Sequence, residues 1–186
     1  MNKKGIETRE KICKAAHRLF SEKGFKTVTM KDICDATGLS RGGLYRHYSG
    51  TAQILEELLK GDYTLEENIQ NGETATEILE AYLNRLKYEM LDTEASLSLA
   101  IYEYANMGNE KKFIEGTNVA VERWNKLIEY GISTGEFNNV NPSQITDVIL
   151  YSYQGVRMWS RVIPLGKETA NHIIDTIKLL LLKENN

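Results

Sequence analysis

Residues 29–48 run Thr-Met-Lys-Asp-Ile-Cys-Asp-Ala-Thr-Gly-Leu-Ser-Arg-Gly-Gly-Leu-Tyr-Arg-His-Tyr, and this stretch decides the architecture. Thr29 reads as the N-cap of a short helix from Met30 to about Thr37, with Asp32 at its third position completing a capping box. Gly38-Leu39-Ser40 is a tight turn: Gly38 takes the unusual backbone angles, Leu39 tucks inward and Ser40 caps the next helix, about Arg41 to Tyr48. Two helices crossing steeply need a small residue where they touch, and Cys34, one turn before Gly38, supplies it. Ile33, Ala36, Leu39 and Leu44 are expected to pack inward. That leaves Arg41, Gly42, Tyr45, Arg46 and Tyr48 for the exposed surface, on a helix whose N-terminal half can enter a DNA major groove.

Working outward, the preceding helix spans about Glu7 to Lys23. Its apolar residues Ile12, Ala15, Ala16, Leu19 and Phe20 follow i, i+3, i+4, i+7, i+8 and make one buried stripe. Gly24 suits a left-handed C-terminal cap, and Phe25 folds back on the helix end. Downstream, Thr51 is read as the cap of a fourth helix carrying Ile54, Leu55, Leu58 and Leu59. Residues 61–72 are polar and weakly periodic, and their middle is read as a connection. Helices are then expected near Thr74–Leu91, Thr93–Met107, Glu110–Ser133, from Pro142 (capped by Asn141) to about Val162, and Lys167–Lys183. With two prolines and scarce β-branched alternation, the chain reads as all-α.

The formal net charge of -3 is an average over unlike parts. Residues 1–60 hold 12 Lys and Arg against 7 Asp and Glu, whereas the other 126 hold 11 against 19. A basic first third on an acidic remainder suits a nucleic-acid-binding head on a body with another task. No apolar run follows Met1-Asn2-Lys3-Lys4, so no secretory leader is expected. The longest aliphatic run, Leu179 to Leu182, is far short of a membrane span. Cys13 and Cys34 make no disulfide framework and suit reduced packing thiols, so the expected compartment is the cytoplasm.

The head resembles the DNA-binding domain of the TetR (tetracycline-repressor-type) family of bacterial transcriptional regulators. The matching segments are Thr8-Arg9-Glu10-Lys11-Ile12, Ala15-Ala16, Leu19-Phe20, Gly24-Phe25, Thr27-Val28-Thr29-Met30, Asp32-Ile33, Ala36-Thr37-Gly38-Leu39-Ser40 and Gly43-Leu44-Tyr45-Arg46-His47-Tyr48. The match spans residues 8–59 at natural spacing, and the rest of the chain is compatible in helix number and length only. The resemblance implies an all-α fold: an N-terminal three-helix helix-turn-helix domain (1–60) on a larger C-terminal helical ligand-binding and dimerisation domain (61–186). It further implies a homodimer joined through its last two long helices. Two heads would bind a palindromic operator in double-stranded DNA, and a small-molecule effector in the body would release it.

The DNA-binding residues expected are Thr29, Lys31, Ser40, Arg41, Gly42, Gly43, Tyr45, His47, Tyr48 and Thr51. Thr29 and Lys31 stand where helix-end N–H groups and a cation meet a phosphate. Arg41 is the residue for direct readout, because a guanidinium bonds guanine O6 and N7 together. Gly42 and Gly43 remove bulk and let the helix approach the bases. Tyr45 and His47 can offer polar tips to phosphate oxygens, as the matching family positions do. At Thr51-Ala52 the chain departs from the Lys-Glu usual in the family, losing one phosphate-binding lysine.

In the body, Tyr88, Glu89, Tyr102, Glu103, Trp124 and Tyr151 are the expected ligand-binding residues, since aromatic faces beside a carboxylate favour a lipophilic cation or an aromatic compound. The alternative is that the tyrosines are core or interface residues. Val148, Ser152, Gly155 and Trp159, with Ile173 and Ile177 of the last helix, suggest half of a four-helix dimer seam, although an intrachain core explains the same stripe. Neither cofactor nor metal is expected, because His17, His47 and His172 have no metal-pair spacing and no nucleophile grouping appears, which argues against an enzyme. A regulator whose body docks a partner protein instead of a small ligand is the competing reading.

Overall fold

The structure, a computed structural model, describes residues 3–60 and 65–183. Among these the order is α1 (Lys3–Lys23), α2 (Met30–Thr37), α3 (Arg41–Tyr45), α4 (Thr51–Leu58), α5 (Leu65–Gln70), α6 (Ala75–Leu91), α7 (Ser98–Tyr104), α8 (Glu110–Ser133), α9 (Pro142–Trp159) and α10 (Lys167–Leu181). The fold is all-α. The chain divides into two compact units, residues 1–62 with 94–110, and 63–93 with 111–186.

In the first unit, Ile12, Ala16, Leu19 and Phe20 of α1 make the expected stripe. Ile33, Cys34, Leu44, Ile54 and Leu55 close on it. Both helix-turn-helix caps form as read. Thr29 Oγ1 accepts from the Asp32 N–H (3.3 Å) while the Asp32 carboxylate accepts from the Thr29 N–H (2.8 Å). Gly38 ends α2 at φ +69°, a left-handed conformation strained for any side chain. Ala36, expected inward, is exposed; on α2 the inward positions are Ile33, Cys34 and Thr37, and the Thr37 hydroxyl is turned back onto the Ile33 carbonyl (2.7 Å).

Several boundaries differ from expectation, among them those of α1, which opens at Lys3 instead of about Glu7, α7, which opens at Ser98 instead of near Thr93, and α9, which ends at Trp159 instead of about Val162. The helix read as 41–48 stops at Tyr45, where the His47 N–H reaches back only to the Leu44 carbonyl (2.9 Å) in a tightened last turn. Thr51 opens α4 without capping it; Gly50 occupies the cap position, and Gln53 Oε1 accepts from the Ser49 N–H (2.7 Å). Part of the segment read as a connection, Leu65–Gln70, is helical, with Leu65 buried; residues 61–64 of that segment lie outside the described residues.

The largest correction concerns 94–110, expected in the body. Leu97, Ala100 and Tyr104 belong to the core of the first unit. The Tyr104 ring meets Phe25 edge-on at 4.9 Å between centroids, and its hydroxyl donates to Glu56 of α4. Glu103 accepts from the Lys26 N–H (2.9 Å), beside Gly24. Gly24 has φ +77°, and a Cβ there would stand 2.5 Å from the Glu103 carboxylate, so both backbone and space call for glycine.

The second unit has its own core of Ile78, Leu79, Leu83, Trp124, Leu127, Ile128, Ile149, Ile174, Ile177 and Leu181, drawn from α6, α8, α9 and α10. Phe137 lies against Gly131, where a Cβ would approach its ring to 2.2 Å. Glu136 anchors the start of α6 by accepting from the Ala75 and Thr76 N–H groups at 3.1 and 2.9 Å. Among the described residues no helix is long and apolar enough to cross a membrane.

Candidate nucleic-acid interface

A five-residue helix has no stability of its own in water, so α3 holds its shape through its neighbours. Ser40 Oγ accepts from the Gly43 N–H (3.1 Å) at one end, and Leu44 is fully buried in the middle. Truncating such a leucine to alanine costs about 2–5 kcal/mol, which makes it the main anchor of α3. With Leu44 inward, Arg41, Gly42, Tyr45 and Arg46 are exposed, on one short outward surface. An added Cβ at Gly42 meets nothing within 4 Å, whereas at Gly43 it meets Ser40 Oγ at 3.2 Å. The two glycines therefore have different reasons to be small.

Tyr48 corrects the expectation of an exposed contact residue. It is 1% exposed, and its hydroxyl lies 3.2 Å from Cys13 Sγ. The Arg9 guanidinium stacks 4.5 Å from the ring centre and pairs with Glu57 at 3.0 Å. Burial first, then the neighbouring thiol, pushes the Tyr48 hydroxyl pKa up, so the phenol is neutral. A stacked cation contributes about 0.5–1 kcal/mol and a half-exposed ion pair about 0–1. Burying the ring contributes about 1.5–3 kcal/mol, so burial draws Tyr48 inward. The residue thereby ties the end of α3 to α1. Spacing alone conceals this, because residue 48 lies past the last residue of α3.

The remaining expected contacts differ in how far they reach solvent. Lys31 is exposed in the first turn of α2, His47 is half-buried after α3, and Thr51 is half-buried at the start of α4. Thr29 is exposed, but its N–H and hydroxyl are both engaged by Asp32. Those two hydrogen bonds from Thr29 hold the Asp32 carboxyl below its usual range. An ionised carboxylate thus already occupies the start of α2, and Lys31 is left as the cation that can face a phosphate.

The six expected ligand residues are not gathered into one site. Tyr102 and Glu103 belong to the first unit, where Glu103 serves the Lys26 N–H. Trp124 is 2% exposed, packed edge-on against Tyr82 at 5.6 Å, and is a core residue. Tyr88 and Tyr151 are exposed. Glu89 accepts from the Tyr153 hydroxyl and from Arg85 Nε (3.0 Å), so its charge is already answered. Of the seam residues, Val148 and Trp159 are exposed, Ser152, Gly155 and Ile173 are half-buried, and Ile177 is buried within the chain's own core. Val148, Ser152, His172, Ile173, Thr176 and Ile177 line an open, largely apolar groove between α9 and α10.

A family model described as bacterial regulatory proteins, tetR family, matches residues 12–58. Over 142 residues the chain is 30% identical to the uncharacterized HTH-type transcriptional regulator YfiR of Bacillus subtilis (strain 168), covering 70% of this chain and 68% of that one. It is 28% identical over 141 residues to the HTH-type transcriptional repressor KstR2 of Rhodococcus jostii (strain RHA1), with the same two coverages. Among solved structures, NalD, the secondary repressor of the MexAB-OprM multidrug efflux pump in Pseudomonas aeruginosa, shares the fold with a TM-score of 0.70 at 18% identity, over 97% of this chain and all of that one. Match, identity and helix-turn-helix geometry agree, and the chain belongs to the TetR family of DNA-binding transcriptional regulators.

Proposed function

We propose that this regulator is a repressor that binds a palindromic operator as a homodimer and is released from it by a small-molecule effector. The observation that carries the DNA-reading half is the surface of α3: a helix anchored by Leu44 and capped by Ser40 turns Arg41, Gly42 and Tyr45 to solvent. Arg41 is assigned the base contact, and Lys31, Tyr45 and His47 are assigned the phosphates. One short helix contacts too few base pairs to specify a site, so two heads related by symmetry are needed. The open groove of α9 and α10, with exposed Val148 in its lining, is the surface assigned to the second copy.

An aromatic effector keeps the support of exposed Tyr88 and Tyr151. A lipophilic cation loses it, because Glu89 and Glu103 both already have donors. The partner-protein reading is favoured by one observation, the exposed apolar residues Phe113, Ile114 and Val119 near the start of α8. Selecting bound DNA from a random pool, with and without candidate effectors, tests the proposal. A palindrome enriched without effector and lost with one compound is the expected result. Enrichment of no sequence counts against operator reading, and a palindrome released only by another protein favours the second reading.

A further inference from the structure

The outward surface of α3 and its cap carries three long side chains, Arg41, Tyr45 and Arg46. Gly42 and Gly43 add none, Leu44 is buried, and the Ser40 hydroxyl is spent on the Gly43 N–H. These two arginines are unlike the others of the head. Arg9 pairs with Glu57 and Arg18 with Glu22, whereas among the described residues no ion pair or side-chain hydrogen bond holds Arg41 or Arg46. Arg46 closes α3 in right-handed helical conformation (φ -68°, ψ -21°), and its N–H donates to the Gly42 carbonyl at 3.3 Å. It therefore stands one turn beyond Gly42 on the same face. Side chains on a helix lean toward its N-terminus and cover the turn before their own Cα. Arg46 thus leans along the Gly42 position, where glycine leaves the way open and even an added Cβ meets nothing within 4 Å. That lean is toward the bases, because the N-terminal half of a recognition helix is the half that enters the major groove.

We propose that Arg46 is a second base-reading residue of this regulator, carried past Gly42 into the groove to take a guanine through O6 and N7 at a position other than the one Arg41 reads. A guanidinium without an internal partner gives up no ion pair on reaching DNA, and its planar fork matches those two acceptors. This rests on the DNA-reading assignment above and adds to it a residue that selects sequence.

Selection of bound DNA from a random pool tests it, run with the full chain and with its Arg46→Ala, Arg46→Lys and Arg41→Ala variants. The unaltered chain is expected to enrich a palindrome with guanine at the position Arg46 reads. Arg46→Ala loses that preference at one position per half-site, and Arg41→Ala loses preference at a different one. In titrations Arg46→Ala binds the selected operator about tenfold more weakly than the unaltered chain does. On an operator changed at that one position, the two proteins bind alike. Arg46→Lys keeps the charge without the fork, loses the same preference, and serves if the alanine variant does not fold. Equal weakening on every sequence would make Arg46 a phosphate contact, and an unchanged site preference would place it outside the interface; either overturns the assignment. If the unaltered chain enriches no sequence, operator reading fails as a whole, whereas a palindrome indifferent to residue 46 counts against Arg46 alone.

Discussion

Gly42 and Gly43 stand side by side in α3, yet the fold constrains only one of them. Glycine inside a helix is about 0.5–1 kcal/mol less stable than alanine. Gly43 has a structural reason to bear that, because a Cβ would press on the Ser40 cap at 3.2 Å. Gly42 has open space, so packing gives no reason for its smallness, and the proposed approach of α3 to the bases supplies one. Gly42→Ala is therefore expected to raise the melting temperature and weaken operator binding together, whereas Gly43→Ala gains no stability; thermal melts paired with DNA titrations check both. Arg41→Ala is expected to lose about 1–3 kcal/mol on the operator and relax base preference at one position per half-site. Lys31→Ala weakens all DNA alike and lowers the slope of log affinity against log salt by about one for each phosphate it no longer neutralises. Reversed signatures in titrations at several salt concentrations would exchange the two roles. Exposure of Arg41 and Lys31 was legible in the sequence, because helical period and cap position define outward faces locally. The burial of Tyr48 was not, because it depends on Arg9, Cys13 and Glu57, which are distant along the chain.

At the scale of elements, α2 is the case where local chemistry is sufficient. Thr29, Asp32 and Gly38 define both of its ends within ten residues, and all three act as their types suggest. The Asp32 carboxyl is held below its unfolded value by the hydrogen bonds from Thr29. A depressed folded-state pKa contributes stability above the unfolded value of about 4 and loses it as pH falls through the folded value. Asp32→Asn is thus expected to destabilise the head at neutral pH and to remove part of the loss seen below about pH 4. Acid melts that run parallel for both proteins would show that the cap does not titrate with folding. The element that sequence pattern misassigned is α7. Its apolar residues look like those of any body helix, and only the partners Phe25, Lys26 and Glu56 show where they pack.

For the whole molecule, the basic balance of residues 1–60 is moderated by the segment 94–110, whose Glu94, Glu103 and Glu110 join the same unit. Charge therefore points to the surface around Arg41 and Lys31 more than to the head as a body. The proposed dimer has a clean test at Gly155 of α9, where an added Cβ meets nothing within 4 Å among the described residues. Gly155→Arg is expected to leave the protomer folded, give monomers by light scattering and reduce operator affinity at least tenfold. An intact dimer would move the seam elsewhere. The all-α class, the helix-turn-helix and its capping were determined by the sequence itself, since each depends on residues a few positions apart. Tertiary structure alone decided that Tyr48 and Ile177 are core, that 94–110 packs with the head, and that Glu89 and Glu103 have their donors. These are pairings between residues far apart in the chain, and burial and hydrogen bonding across such separations leave no local pattern to read.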